Sequence, residues 1–265
     1  FMSIFIFGNF LSFLIMGLLF IPRMSEFLGN ISIAEAMGNL YGKHVRFITS
    51  IAGFLAVSGI VSIQLKIAGL LFDHALGVSA VYGIVLSGTI ITLYSSLGGI
   101  KSVTFTDIIQ FIFFSIMVPA IAYFLFKNVE SKQVLDTIAN SPLFDYKSIF
   151  TFHNPEIYYY ISLFLWVLTP SFNPAIFQRI AMAQDVKQAS KAFIITSVMI
   201  FLFALFLCWI GVLILSISPD IKGNYILKLF LLDYTWLIGF KGIILAGIMA
   251  MVMSTVDSYI NSSSI

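Results

Sequence analysis

Runs of about twenty apolar residues recur along the chain, beginning with "FMSIFIFGNFLSFLIMGLLF" at residues 1–20. Twenty helical residues at 1.5 Å each span the hydrocarbon thickness of a bilayer. In hydrocarbon every backbone amide must find its partner inside the protein, so such runs fold as helices. Strands of a membrane barrel would be shorter and would alternate apolar with polar residues. The reading is therefore an all-α polytopic membrane protein. Seven spans are expected, over residues 1–21, 46–75, 78–97, 103–127, 157–178, 192–217 and 237–265, in a single transmembrane domain covering 1–265.

Composition agrees. Hydrophobic residues make up 60% of the 265 and charged residues only 10%, against about 25% charged in soluble domains. A formal net charge of +2 is too small to point to nucleic acid. One cysteine, Cys208, leaves no disulfide or zinc cluster within the chain. The first run has no charged leader and no small-residue cleavage site, so it does not read as a signal peptide. Both ends fall inside apolar runs, and the chain reads as a piece of a longer membrane protein. Arg23, Lys43, Arg46, Lys101, Arg179, Lys187 and Lys191 fall on one expected side, and Lys127, Lys132, Lys147, Lys222, Lys228 and Lys241 on the other. Seven against six leaves orientation open.

Several polar residues interrupt this background. The last span, "KGIILAGIMAMVMSTVDSYINSSSI", holds Gly242, Ala246, Ala250, Ser254, Ser258 and Ser262 at four-residue spacing. One reading is a small-residue stripe for close helix packing, with hydroxyls bonded to their own helix backbone. Asp257 argues for more, because a carboxylate at mid-helix costs about 2.5–3.5 kcal/mol on insertion. Hydroxyls, a carboxylate and the Met251 carbonyl make a set of hard oxygens that suits a hard cation. In "SSLGGIKSVTFTDIIQF", Gly98-Gly99 breaks the third span. Thr104 and Asp107 then read either as an N-cap with its N3 acid or as the start of a polar face continued by Gln110. On the second reading Asp107 supplies another carboxylate to a cation near Asp257.

In "LWVLTPSFNPAIFQRIAMAQD", Pro170 and Pro174 each remove a helical hydrogen bond. This is either a proline kink or a broken helix exposing backbone to a substrate cavity, and Asn173 between the prolines favours the cavity. Gln178-Arg179 marks the cytoplasmic mouth. Lys66 and Asp73 read as an internal pair or as two interfacial charges. His44, His74 and His153 fall in loops or at helix ends. No nucleophile elbow, phosphate-binding loop or His-Glu-x-x-His is present, so the chain does not read as an enzyme.

"YSSLGGIKSVTFTDIIQ" (94–110) resembles a hallmark of the sodium/solute symporters, the carriers of sugars, proline, pantothenate and sialic acid. "FNPAIFQRIAMAQD" (172–185) is similar to that family's sixth core helix. "KGIILAGIMAMVMSTVDS" (241–258) resembles its eighth, and "FIPRMSEFLGNISIAEAM" (20–37) the loop after its second. The resemblance implies a leucine-transporter-like inverted-repeat fold, incomplete at both ends, with core helices two to eight present. It implies sodium as the coupled ion, with Met251, Ser254 and Thr255 at the principal site and, as in some members, Asp107, Asp257 and Ser258 at a second; Asp257 reads as a ligand of that second site, a proton site or a structural partner. It also implies a solute role for Asn173, which falls where sugar carriers place a substrate-binding asparagine; Asn9 is a further solute-site candidate. Asn9 is the only strong polar group of the first span and the sixth span has no lysine, which disfavours a sugar. Asn173-Pro174 is closer to the proline and pantothenate carriers. The expectation is a multi-pass plasma-membrane symporter (bacterial inner membrane in a prokaryote) importing a small organic solute with sodium. The alternatives are a transporter-like sensor domain of a signalling protein and a non-functional symporter fragment.

Overall fold

The computed structural model describes residues 2–144, 156–221, 226 and 239–264. Lys147, His153, Lys222, Lys228 and the outermost residues of the first and last expected spans (1, 237–238 and 265) lie outside the described residues. Every long element among the described residues is helical, and strands are absent among them. Among the described residues, six helices are long and apolar enough to cross a membrane. In chain order we label α1 (Met2–Ile15), α2 (Ile33–Tyr41), α3 (Lys43–Leu76), α4 (Ala80–Ile100), α5 (Ser102–Lys127), α6 (Ser131–Asn140), α7 (Glu156–Leu168), α8 (Pro174–Ala181), α9 (Val186–Ile217) and α10 (Phe240–Ser263). The spanning helices are α3, α4, α5, α9, α10 and α1 extended to Arg23.

The expected span 157–178 is not one helix. α7 has 13 residues, too few to cross alone. The backbone of residues 169–173 leaves the helix, and α8 restarts at Pro174. Proline is well placed there, since the first helical position needs no amide. The break in "LGGIK" is a kink at Gly99, whose φ of 56° and ψ of −165° suit glycine and separate α4 from α5.

The chain divides into two compact units. The first comprises residues 1–28, 118–171 and 183–221. Here α1 packs on α7 and α9. Phe13 stacks on Phe193 at 5.7 Å, and Phe7 and Phe10 meet Phe201. Past Ile15 the helix widens to a π turn over Met16–Phe20. Ser190 Oγ donates to the Gly17 carbonyl at 2.5 Å, satisfying an oxygen that a regular helix would have bonded. Gln133 Nε2 donates to the Ser216 carbonyl and fixes α6 to the end of α9.

The second unit comprises residues 29–117, 172–182 and 222–265. Ser32 caps α2 by accepting from the Glu35 amide, while Glu35 reaches back to the amide of Ile31, a close relative of the capping box. α3 packs on α10, and Ala68, Ile91, Val252 and Val256 form a buried apolar cluster. α3 and α4 form a hairpin turned by left-handed Gly77. Along it Gly69 and Gly83 face each other. A methyl on Gly69 would fall 2.8 Å from the Ala80 carbonyl oxygen, and one on Gly83 would fall 2.6 Å from Phe72 Cβ. The backbones approach because neither residue has a side chain. Gly69→Val is therefore expected to cost about 1–3 kcal/mol by overpacking, read as a lower melting temperature in detergent. Gly59→Val, with open space around it, is expected to shift it far less.

The small-residue stripe on α10 coincides with its packed face only in part. Gly242 and Ala246 are exposed, and the buried residues are Ile244, Gly247, Val252, Val256, Asp257 and Ser262. The apolar neighbours on α3 and α4 choose the face, and four-residue spacing alone does not.

Candidate functional site

The site residues gather in the second unit, on α4, α5, α8 and α10. On α10, Ser254 and Ser258 are four apart, and Asp257 is three from Ser254. These spacings set the three residues near one face. On α5, Thr104 and Asp107 are likewise three apart. Thr104 is not an N-cap, because α5 begins before it; its hydroxyl donates to the Ile100 carbonyl at 2.8 Å.

Arg179, on α8, connects the two helices. Its Nη2 donates to Asp107 Oδ2 at 2.5 Å and to Ser258 Oγ at 2.9 Å. Its Nη1 donates to Thr104 Oγ1 at 3.0 Å. The other Asp107 oxygen, Oδ1, accepts from Ser254 Oγ at 2.6 Å. Asp107 thus meets a fixed guanidinium, the residue type suited to carboxylates at such interfaces. The pair is partly open: the side chains are 33% exposed for Arg179 and 22% for Asp107. Gln110, a turn further along α5, keeps a buried Oε1 without a partner.

Asp257 is fully buried. Tyr94 on α4 donates its hydroxyl to Oδ2 at 2.5 Å, and Oδ1 has no hydrogen-bond partner. A buried carboxylate without a cation is costly, and Arg179 is already engaged by Asp107. Thr255 Oγ1 donates to the Met251 carbonyl at 3.0 Å. This is the back-bond that a hydroxyl makes in an apolar helix, and it holds two oxygens side by side.

Asn173 caps α8: its Oδ1 accepts from the Ile176 amide at 2.9 Å, and its Nδ2 donates to the Tyr259 hydroxyl at 3.3 Å. A cleft of about 420 Å³ adjoins it, lined by Ser50, Phe54, Pro174, Ser262 and Ser263 among others. Clefts of that size admit small organic molecules. Asn9 and Pro170 belong to the other unit. Asn9 Nδ2 donates to the Phe5 carbonyl of its own helix. Asp73 meets His74 at 3.7 Å, and no ion pair joins it to Lys66 among the described residues.

Tyr94, Arg179 and Tyr259 were not assigned to the site from sequence. Tyr94 opens the "YSSLGGIKSVTFTDIIQ" motif, and that placement was its only signal. Arg179 read only as part of the cytoplasmic mouth, and its guanidinium bonds to both α5 and α10.

Among the described residues, six helices of membrane-spanning length and apolarity define a multi-pass membrane protein. The model of the sodium:solute symporter family matches residues 2–265, and the chain belongs to that family. Membership points to sodium-coupled solute symport, and to a transporter rather than an enzyme. A search of curated proteins finds no match to the chain.

Proposed function

We propose that this chain forms most of the core of a symporter that imports a small organic solute of the amino acid or pantothenate kind with sodium. The oxygen cluster on α10 carries the reading. The Ser254 and Thr255 hydroxyls and the Met251 carbonyl supply neutral oxygens one turn apart, as a hard monovalent cation prefers. On this reading they belong to the principal sodium site, and the interrupted segment 157–178 acts as a seventh crossing. The fold is one of inverted repeats, and the break before α8 borders the solute path. Asn173, with one amide hydrogen engaged by Tyr259 and its oxygen capping α8, retains donor capacity for a solute carboxylate or amide.

Coupling follows from linkage. Sodium that favours the solute-competent state raises solute affinity, and solute raises sodium affinity by the same factor. Each sodium charge moving inward gains about 2.3 kcal/mol per 100 mV, enough for a roughly 50-fold solute gradient.

The solute class is tested by thermal stabilisation of the purified full-length protein. In sodium, a solute at a hundred times its dissociation constant is expected to stabilise by about 2.7 kcal/mol. Proline or pantothenate is expected to do so and glucose is not, and the shift is expected to vanish in potassium. Stabilisation by glucose alone would overturn the assignment.

A further inference from the structure

Resting on the reading of Asp107, Asp257 and Ser258 as oxygens for a second cation, we propose that Arg179 is a tethered cation beside Asp107 and Ser258 in that place. Its guanidinium holds Asp107 and Ser258 as an ion would, so this protein binds one sodium fewer than its carboxylates allow. The geometry supplies the argument. Three of the oxygens around the guanidinium, Asp107 Oδ2, Ser258 Oγ and Thr104 Oγ1, lie at 2.5, 2.9 and 3.0 Å from its nitrogens and come from two helices. Ser254 engages the remaining Asp107 oxygen. Neither oxygen of that carboxylate is left without a donor.

A sodium ion on Asp107 would sit beside the guanidinium. Two unit charges about 4 Å apart, at the effective dielectric of a protein surface, repel enough to weaken binding roughly 1000-fold. Arginine does not deprotonate in proteins to relieve this. Replacement is therefore favoured over joint occupancy. Asp257 is not held by the guanidinium: its hydroxyl partner is Tyr94 and its Oδ1 is unpartnered.

The test is saturation binding of sodium-22, without solute, to the purified full-length protein. Arg179→Gln is expected to bind one more sodium per chain than the wild type. Arg179→Gln with Asp107→Asn is expected to return to the wild-type number, as is Arg179→Lys, which keeps the fixed charge. Asp107→Asn alone is expected to leave the number unchanged. No added sodium in a folded Arg179→Gln, or loss of one in Asp107→Asn, would overturn the proposal; the second arm decides even where Arg179→Gln fails to fold. A wild type that binds no sodium would instead contradict the symport reading, while the difference between Arg179→Gln and wild type still decides the role of Arg179.

Discussion

Ser254→Ala with Thr255→Ala is expected to weaken sodium activation of solute uptake about 100-fold or more. Each hydroxyl is taken as a ligand to a charged group, and such polar contacts contribute about 1.5–3 kcal/mol. Losing two costs about 3–6 kcal/mol, and every 1.4 kcal/mol is tenfold. Solute affinity at saturating sodium is expected to change much less, because neither residue is assigned to the solute. Thr255→Ser, which keeps the hydroxyl beside the Met251 carbonyl, is expected to behave nearly as wild type. Unchanged sodium activation in the double variant would remove both residues from the site. Ser254→Ala alone also frees Asp107 Oδ1, so its effect is expected to exceed that of Thr255→Ala.

Breaking the ion pair from one side is the second large effect. Arg179→Ala leaves the Asp107 carboxylate with Ser254 as its remaining donor, and it strips Thr104 and Ser258 of theirs. Uncompensated charge in a fully buried pair costs about 3–5 kcal/mol. Here roughly a third of one side chain and a fifth of the other are exposed, so solvent screens the loss and about 1–3 kcal/mol is expected. Removing both charges, in Arg179→Gln with Asp107→Asn, is expected to cost less than the summed losses of Arg179→Gln and Asp107→Asn measured singly. Melting temperatures in sodium-free detergent measure this cycle. Additivity within about 0.5 kcal/mol would mean that the two side chains are not coupled.

The helices were legible in the sequence because the bilayer imposes length and apolarity locally. The breaks were legible too: Pro174 has no amide to offer a helix, and Gly99 adopts a backbone that other residues resist. What spacing could not give was the packed face of α10, because Ala68 and Ile91, far away in sequence, select it. The partners of Arg179 were hidden for the same reason. Its surroundings depend on where an eight-residue helix docks, and a charged residue after an apolar run reads locally as an interface. The Tyr94–Asp257 bond spans 163 positions, beyond the reach of any periodicity. Asp257 was visible as an anomaly in an apolar run, but its partner was not.

The central claim is coupling to sodium, and flux under an imposed gradient tests it most directly. Proteoliposomes carrying the full-length protein would be loaded with potassium and diluted into sodium, with labelled proline or pantothenate outside. The account predicts solute accumulation above equilibrium that collapses when sodium is equal on both sides and rises when the interior is made negative. Uptake that runs equally well with potassium replacing sodium on both sides would contradict it.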